Sequence, residues 1–268
     1  MRGMNIQIDT LAYTNRLRQL PPEQKLIFAL TVELIALIAH APTQLLIVLW
    51  MGVWTVGYAG IPARVYLRLI ALACVFLFMS LPALVINIVS TAQMDLVRAD
   101  QWFGLSLGSW DFYISRSGSE QALAIVVRSL ACVSCLFFVL CTVPFIELLQ
   151  TMRRLGVPVL LTELLLLMYR FVFILLKTAY ELKLAQQARG GDRTWGRAIR
   201  SFSLLVGQLF KRTLERYHQF SLGVAARGFT GEFQVWSGYP ARFSKRYALE
   251  ALIGCACLLG LEGWTRFL

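Results

Sequence analysis

Long apolar runs separated by short polar breaks dominate the chain. Apolar residues run from 26 to 41, from 44 to 59 and from 65 to about 89. Pro42 and Thr43 mark the first break, and Gly60-Ile61-Pro62 marks the second. Residues 90–120 are polar and rich in Gly and Ser; a long apolar helix is then predicted over 121–149, and a last run covers 247–261. Runs approaching ~18 residues predict helices that cross a bilayer. Pro21-Pro22-Glu23 opens the first helix, because proline is tolerated in a first helical turn. Residues 1–20 form a polar, amphipathic segment expected along the membrane surface.

Between the fourth and last runs the pattern changes. Residues 155–176 are apolar enough for another crossing, but carry Glu163 and Arg170 in their middle. A charge at mid-bilayer costs about 3 kcal/mol. This segment is therefore expected to enter the membrane interface obliquely and to continue through Lys177, Glu181 and Lys183 to Ala188. A second long helix is expected over 195–226.

Composition agrees with a membrane chain. The 268 residues are 57% hydrophobic and 15% charged, with a mean hydropathy of +0.62. Soluble domains carry about a quarter charged residues. The net charge of +11 would suit nucleic acid, but the basic residues concentrate between Arg153 and Arg246, beyond the main apolar runs. That marks a cytoplasmic segment, and a surface for anionic lipid or an acidic partner. No nucleic-acid partner is expected.

Lysine and arginine placement sets the topology. Arg2, Arg16, Arg18 and Lys25 put the N-terminus inside. Arg64 and Arg68 put the second connection inside. Loop 90–120 leans acidic, with Asp95, Asp100, Asp111 and Glu120 against Arg98 and Arg116, and is expected outside. The expectation is an all-α polytopic membrane bundle of about five crossings with two long cytoplasmic helices. Its parts are the amphipathic segment 1–20, transmembrane helices 1–4 over 21–150, a cytoplasmic block over 151–246, and a C-terminal transmembrane helix over 247–268. The C-terminus is expected outside. No cleavable signal peptide is expected, since charged residues precede the first apolar run and no small-residue site closes it.

Chemistry-bearing residues are sparse. The six cysteines lie inside apolar runs, and Cys132-x-x-Cys135 lacks a second pair. The two histidines, His40 and His218, have no shared helical spacing; His40 is expected at a membrane boundary. No metal site, catalytic cluster or cofactor site is expected. No Gly-x-x-x-x-Gly-Lys-Ser/Thr loop is present to bind ATP. The charges in or near the membrane are Glu33, Arg128, Glu147 and Glu262; a Glu33–Arg128 pair between helices is one possibility. Trp50, Trp54, Trp102, Trp110 and Trp264 mostly suit interfacial belts.

One tripeptide recurs: Ala188-Arg189-Gly190 and Ala226-Arg227-Gly228. Each follows a helical pattern. Glycine suits the left-handed residue that ends a helix, and arginine complements the dipole there. Plain capping explains one copy. Two copies in one basic block also fit docking, in which each guanidinium makes a two-pronged contact with a carboxylate. Both readings stand on the residues alone.

With these motifs the chain resembles the cobalt-type CbiQ family, the transmembrane (T) components of energy-coupling-factor transporters. Ile8-Asp9 and Ala12-Tyr13, followed by Pro22-Glu23 and Lys25-Leu26, resemble that family's N-terminus. Arg128-Ser129-Leu130-Ala131 is similar to the start of its fourth helix. Leu155-Gly156-Val157-Pro158 with Tyr169-Arg170-Phe171 looks like its entry to the coupling region, and Arg216 matches an arginine before the second motif. Gly223-Val224 stands where the family often has Ala-Met, and Cys141-Thr142-Val143-Pro144 departs from its usual turn.

The resemblance implies a non-catalytic coupling subunit in a bacterial cell (inner) membrane. Its partners would be two ABC-type ATPase subunits that bind the ATP, a substrate-binding membrane subunit and a small accessory membrane subunit. Ala188, Arg189, Gly190, Ala226, Arg227 and Gly228 would carry the ATPase docking. Nickel or a vitamin is an alternative cargo. A membrane-embedded enzyme acting on anionic lipid is a further alternative.

Overall fold

A computed structural model describes residues 11–90, 101–107, 110–191, 194–228 and 243–267. Residues 1–10 and 91–100, with Asp95, Arg98 and Asp100, lie outside the described set. The chain forms two compact units, Met1–Phe145 with Gly238–Leu268, and Ile146–Ser237.

The first unit is a bundle of α1 (Pro22–Ile38), α2 (Ala41–Val53), α3 (Ala63–Val85), α4 (Arg116–Thr142) and α8 (Lys245–Phe267). α4 packs against α1, α2 and α3, and α8 packs against α1 and α2. Phe28, Trp54 and Phe138 meet at the centre, with ring centroids 4.7 Å apart for Phe28–Trp54 and 5.7 Å for Phe28–Phe138. Trp54 is buried there, not placed in an interfacial belt as its type suggests. Trp264 is exposed, as a belt residue would be.

Helix ends depart from the sequence expectation in three places. Pro42 does not break a helix; it lies in the first turn of α2, where its missing N–H has no intrahelical role. The break falls instead at Ala39 and His40. α3 ends at Val85, and Ile86–Ser90 is a strand, β1. It joins β2 (Gln101–Leu107) and β3 (Trp110–Ser115) in an antiparallel sheet of order β1-β3-β2. Within the expected loop, residues 101–107 and 110–115 are therefore strands, built where β-branched and aromatic residues cluster. α4 begins at Arg116 and stops at Thr142, not near 149, because Pro144 cannot continue the ladder.

Residues 11–20 do more than rest on a surface. Leu17 is buried in the core cluster, and the Arg16 N–H donates to Ala59 O at 3.0 Å. Gly60 follows with φ +73°, a conformation open to glycine, after the π-helical turn Trp54–Tyr58.

The second unit holds α5 (Phe145–Arg154) from its second residue onward, α6 (Val159–Ala188) and α7 (Trp195–Ala226). α6 and α7 pack together, with the Phe171 and Phe220 rings edge to face at 5.8 Å. Both long helices match expectation.

Among the described residues, five helical stretches are long and apolar enough to cross a membrane: Ala41–Tyr58, Ala63–Pro82, Gly118–Thr142, Val159–Ala188 and Lys245–Trp264. The count equals the expected five, but the membership differs. α6 qualifies by length and composition. α1 has 17 residues, about 26 Å of helix, slightly short of a ~30 Å hydrocarbon core.

Candidate functional site

Both Ala-Arg-Gly triplets sit where the sequence places them, at the ends of α6 and α7. Ala188 and Ala226 are the last helical residues. Arg189 caps the first helix at φ −91°, ψ 10°, and Arg227 caps the second at φ −92°, ψ 10°. Gly190 and Gly228 then turn left-handed at φ +73° and +66°. The two endings share one backbone conformation.

Hydrogen bonds show why. Gly190 N–H donates to Gln187 O at 3.0 Å, and Gly191 N–H donates to Gln186 O at 3.0 Å. These are the two bonds of a Schellman ending. Gly228 N–H makes the matching bond to Ala225 O at 3.1 Å. The first ending is also tied sideways, because Ser201 Oγ of α7 donates to Gly191 O at 3.3 Å.

All six motif residues are exposed. Among the described residues neither guanidinium forms an ion pair. Each sits at the negative end of a helix dipole, which favours a cation there. A small alanine beside each leaves room for a partner surface. The triplets do not converge on one site. The 32-residue helix α7 runs from just after the first triplet into the second, about 48 Å of helix. This arrangement suits two separate contacts rather than one pocket.

A second polar cluster was not legible as a unit in the sequence. Glu262 near the end of α8 is buried and accepts three hydrogen bonds: from His40 N–H at 3.1 Å, from His40 Nδ1 at 2.6 Å and from Thr43 Oγ at 3.0 Å. The carboxylate thereby caps the start of α2 from another helix, where the dipole favours an anion. Gln44 caps the end of α1 next to it, donating to Ala36 O at 3.0 Å and Ala39 O at 2.8 Å. His40 is thus a boundary histidine with a carboxylate partner, which single-residue reading missed. The usable signal was topological, since the end of α1 and the end of α8 were both expected outside. Glu33 and Arg128, by contrast, do not pair with each other, and among the described residues neither forms an ion pair.

Among the described residues, no group of three or more His, Cys, Asp or Glu is placed to hold a metal ion. The cysteines are free, with Cys135 and Cys141 buried.

Comparison with known proteins now adds identity. The family model described as cobalt transport protein, CbiQ, matches residues 14–235. The cobalt transport protein CbiQ of Rhodobacter capsulatus is 32% identical over 235 residues, covering 87% of this chain and 88% of that protein. The protein of the same name from Salmonella typhimurium is 29% identical over 231 residues, 85% of this chain and 99% of its own length. A putative fused cobalt transport protein CbiMQ of Methanocorpusculum labreanum is 27% identical over 225 residues, 84% of this chain but 36% of the fused protein. The chain is a multi-pass membrane protein and belongs to the CbiQ cobalt transport family.

Proposed function

We propose that this chain is the transmembrane coupling subunit of an energy-coupling-factor importer for cobalt ions. Two ATPase subunits bind and hydrolyse ATP, and α6 and α7 carry their movement to a separate membrane subunit that binds the ion. The observation that carries this reading is the pair of matched helix endings, each presenting an exposed arginine that has no ion-pair partner among the described residues. A planar, exposed guanidinium is suited to a two-pronged contact with a carboxylate. Two like endings suit two like partners. The fused relative supports a second membrane component, because its remaining length must encode something besides the region shared with this chain.

The coupling requires contacts that differ between the two states of the ATPase pair. Arg189 and Arg227 supply those contacts in this account. The chain itself needs no ATP site and no metal site for this role. The block 151–246 is cytoplasmic, the N-terminus lies on the same side, and the C-terminus is outside. α1 and α8 run parallel, joined by Gln24–Ser244 at their starts and His40–Glu262 at their ends, which supports that placement.

Charge reversal tests the proposal. Arg189→Glu and Arg227→Glu, singly and together, are expected to reduce ATPase co-purification in mild detergent and to abolish ATP-driven cobalt uptake in the double variant. Unchanged co-purification and uptake in the double variant would overturn it.

A further inference from the structure

α4 ends in an unusual grip. Val143 and Pro144 are buried just after its last residue, Thr142. Pro144 has no N–H to extend the ladder, so the final carbonyls of α4 need other donors. Asn15 of the N-terminal segment and Lys25 of α1 supply them. Lys25 Nζ donates to Thr142 O at 3.0 Å. Asn15 Nδ2 donates to the same oxygen at 3.2 Å and lies 3.5 Å from Cys141 O. Asn15 is held in turn by a bond from Nδ2 to Ala12 O at 2.7 Å.

Lys25 is only 3% exposed. A buried ammonium costs several kcal/mol unless its surroundings compensate. Capping alone would be served by a neutral donor such as Asn15. The cation adds an attraction to the negative end of the α4 dipole, which holds the whole last turn rather than one carbonyl.

The place of this grip matters. The chain leaves the first unit and enters the second between Phe145 and Ile146. Thr142 stands three residues before that junction. The chain returns to the first unit at Gly238; at the earlier of these two junctions, force carried along the chain reaches the bundle through Val143 and Pro144, and then meets the gripped turn.

We infer that Lys25, assisted by Asn15, is a positioning residue for transport: it anchors the bundle end of this junction, so that movement of the second unit is passed to the bundle instead of being absorbed by unwinding of the last turn of α4. The inference rests on the coupling-subunit reading. Its signature is a change in cobalt moved per ATP hydrolysed, with assembly retained.

The test uses the complete transporter complex in vesicles, with cobalt as the transported probe. Lys25→Met keeps most of the side-chain length and removes the charge. It is expected to co-purify with the ATPase and to hydrolyse ATP near the wild-type rate, while cobalt uptake falls by about tenfold. Lys25→Arg, which restores a cation, is expected to recover most uptake. Asn15→Ala, which removes the neutral half of the grip, is expected to lower the same ratio by a smaller factor. Uptake and hydrolysis falling in proportion would overturn the inference, as would an unchanged ratio. Loss of assembly in both Lys25→Met and Asn15→Ala would also count against it, because a positioning role leaves the bundle able to form. If wild-type uptake proved independent of ATP, the coupling-subunit reading itself would fail, which separates the two outcomes.

Discussion

Glu262 of α8 accepts a hydrogen bond from His40, at the end of α1, over 2.6 Å. At the other ends of the same two helices, Gln24 Nε2 donates to Ser244 O at 3.2 Å. The two contacts make α1 and α8 parallel neighbours. If α8 crosses the membrane, α1 crosses beside it in the same direction, despite its 17 residues. Parallel helices need an odd number of crossings between them. α2, α3 and α4 provide three, and a full crossing by α6 would make four.

The first prediction follows from that parity. In a chain freed of native cysteines, single cysteines at Arg153 and Arg197, on either side of α6, are expected to react with an impermeant thiol reagent from one side of the membrane. Labelling from opposite sides would show that α6 crosses.

The Glu262 cluster should also matter for stability. Glu262→Ala leaves the Thr43 hydroxyl, fully buried at 0% exposure, and the His40 N–H without their acceptor. A loss of about 1–3 kcal/mol is expected, read as a lower thermal midpoint in detergent. A midpoint equal to wild type would contradict the role given to this carboxylate.

Gly254 marks a close approach of α8 to α2. A Cβ there would collide with the Trp50 indole. Small residues allow membrane helices to approach closely. Gly254→Ala is expected to destabilise the bundle by about 1–3 kcal/mol. Trp50→Leu is expected to relieve part of that loss in the double variant, which the non-additivity of the two changes would measure. Strict additivity would place the strain elsewhere.

The left-handed glycines separate backbone shape from side-chain space. A Cβ on Gly190 or Gly228 would meet nothing within 4 Å, so only the backbone conformation opposes it. Alanine at each position is expected to cost about 1 kcal/mol of local order. Faster amide exchange in the last turns of α6 and α7 would register this, with the bundle unaffected and ATPase binding weakened. Unaltered exchange and binding would show that the shape of these endings is dispensable.

Much of this fold is legible in the residues because membrane helices declare themselves locally. Apolar length, proline placement and arginine bias are properties of single segments, and they locate α2, α3, α4, α6, α7 and α8. The same is true of the two helix endings, since Gly190 and Gly228 each follow a helical pattern directly. What escaped is what depends on partners far along the chain. His40 and Glu262 are 222 residues apart, and Lys25 and Thr142 are 117 apart. Neither pair has a spacing that a helix or strand would reveal. Trp54 was misplaced for the same reason: its burial depends on Phe28 and Phe138, which arrive from other helices. The sheet was missed because its strands are short, of five to seven residues.

In the proposed coupling role, the two arginine-tipped endings each seat against an ATPase subunit. A photo-activatable residue placed at Ala188, and separately at Ala226, tests it most directly in the purified transporter. The account predicts that both positions cross-link to an ATPase subunit, and that Arg189→Glu and Arg227→Glu each weaken the cross-link at their own position. Cross-links to lipid alone, or to the same bundle of this chain from both positions, would contradict it.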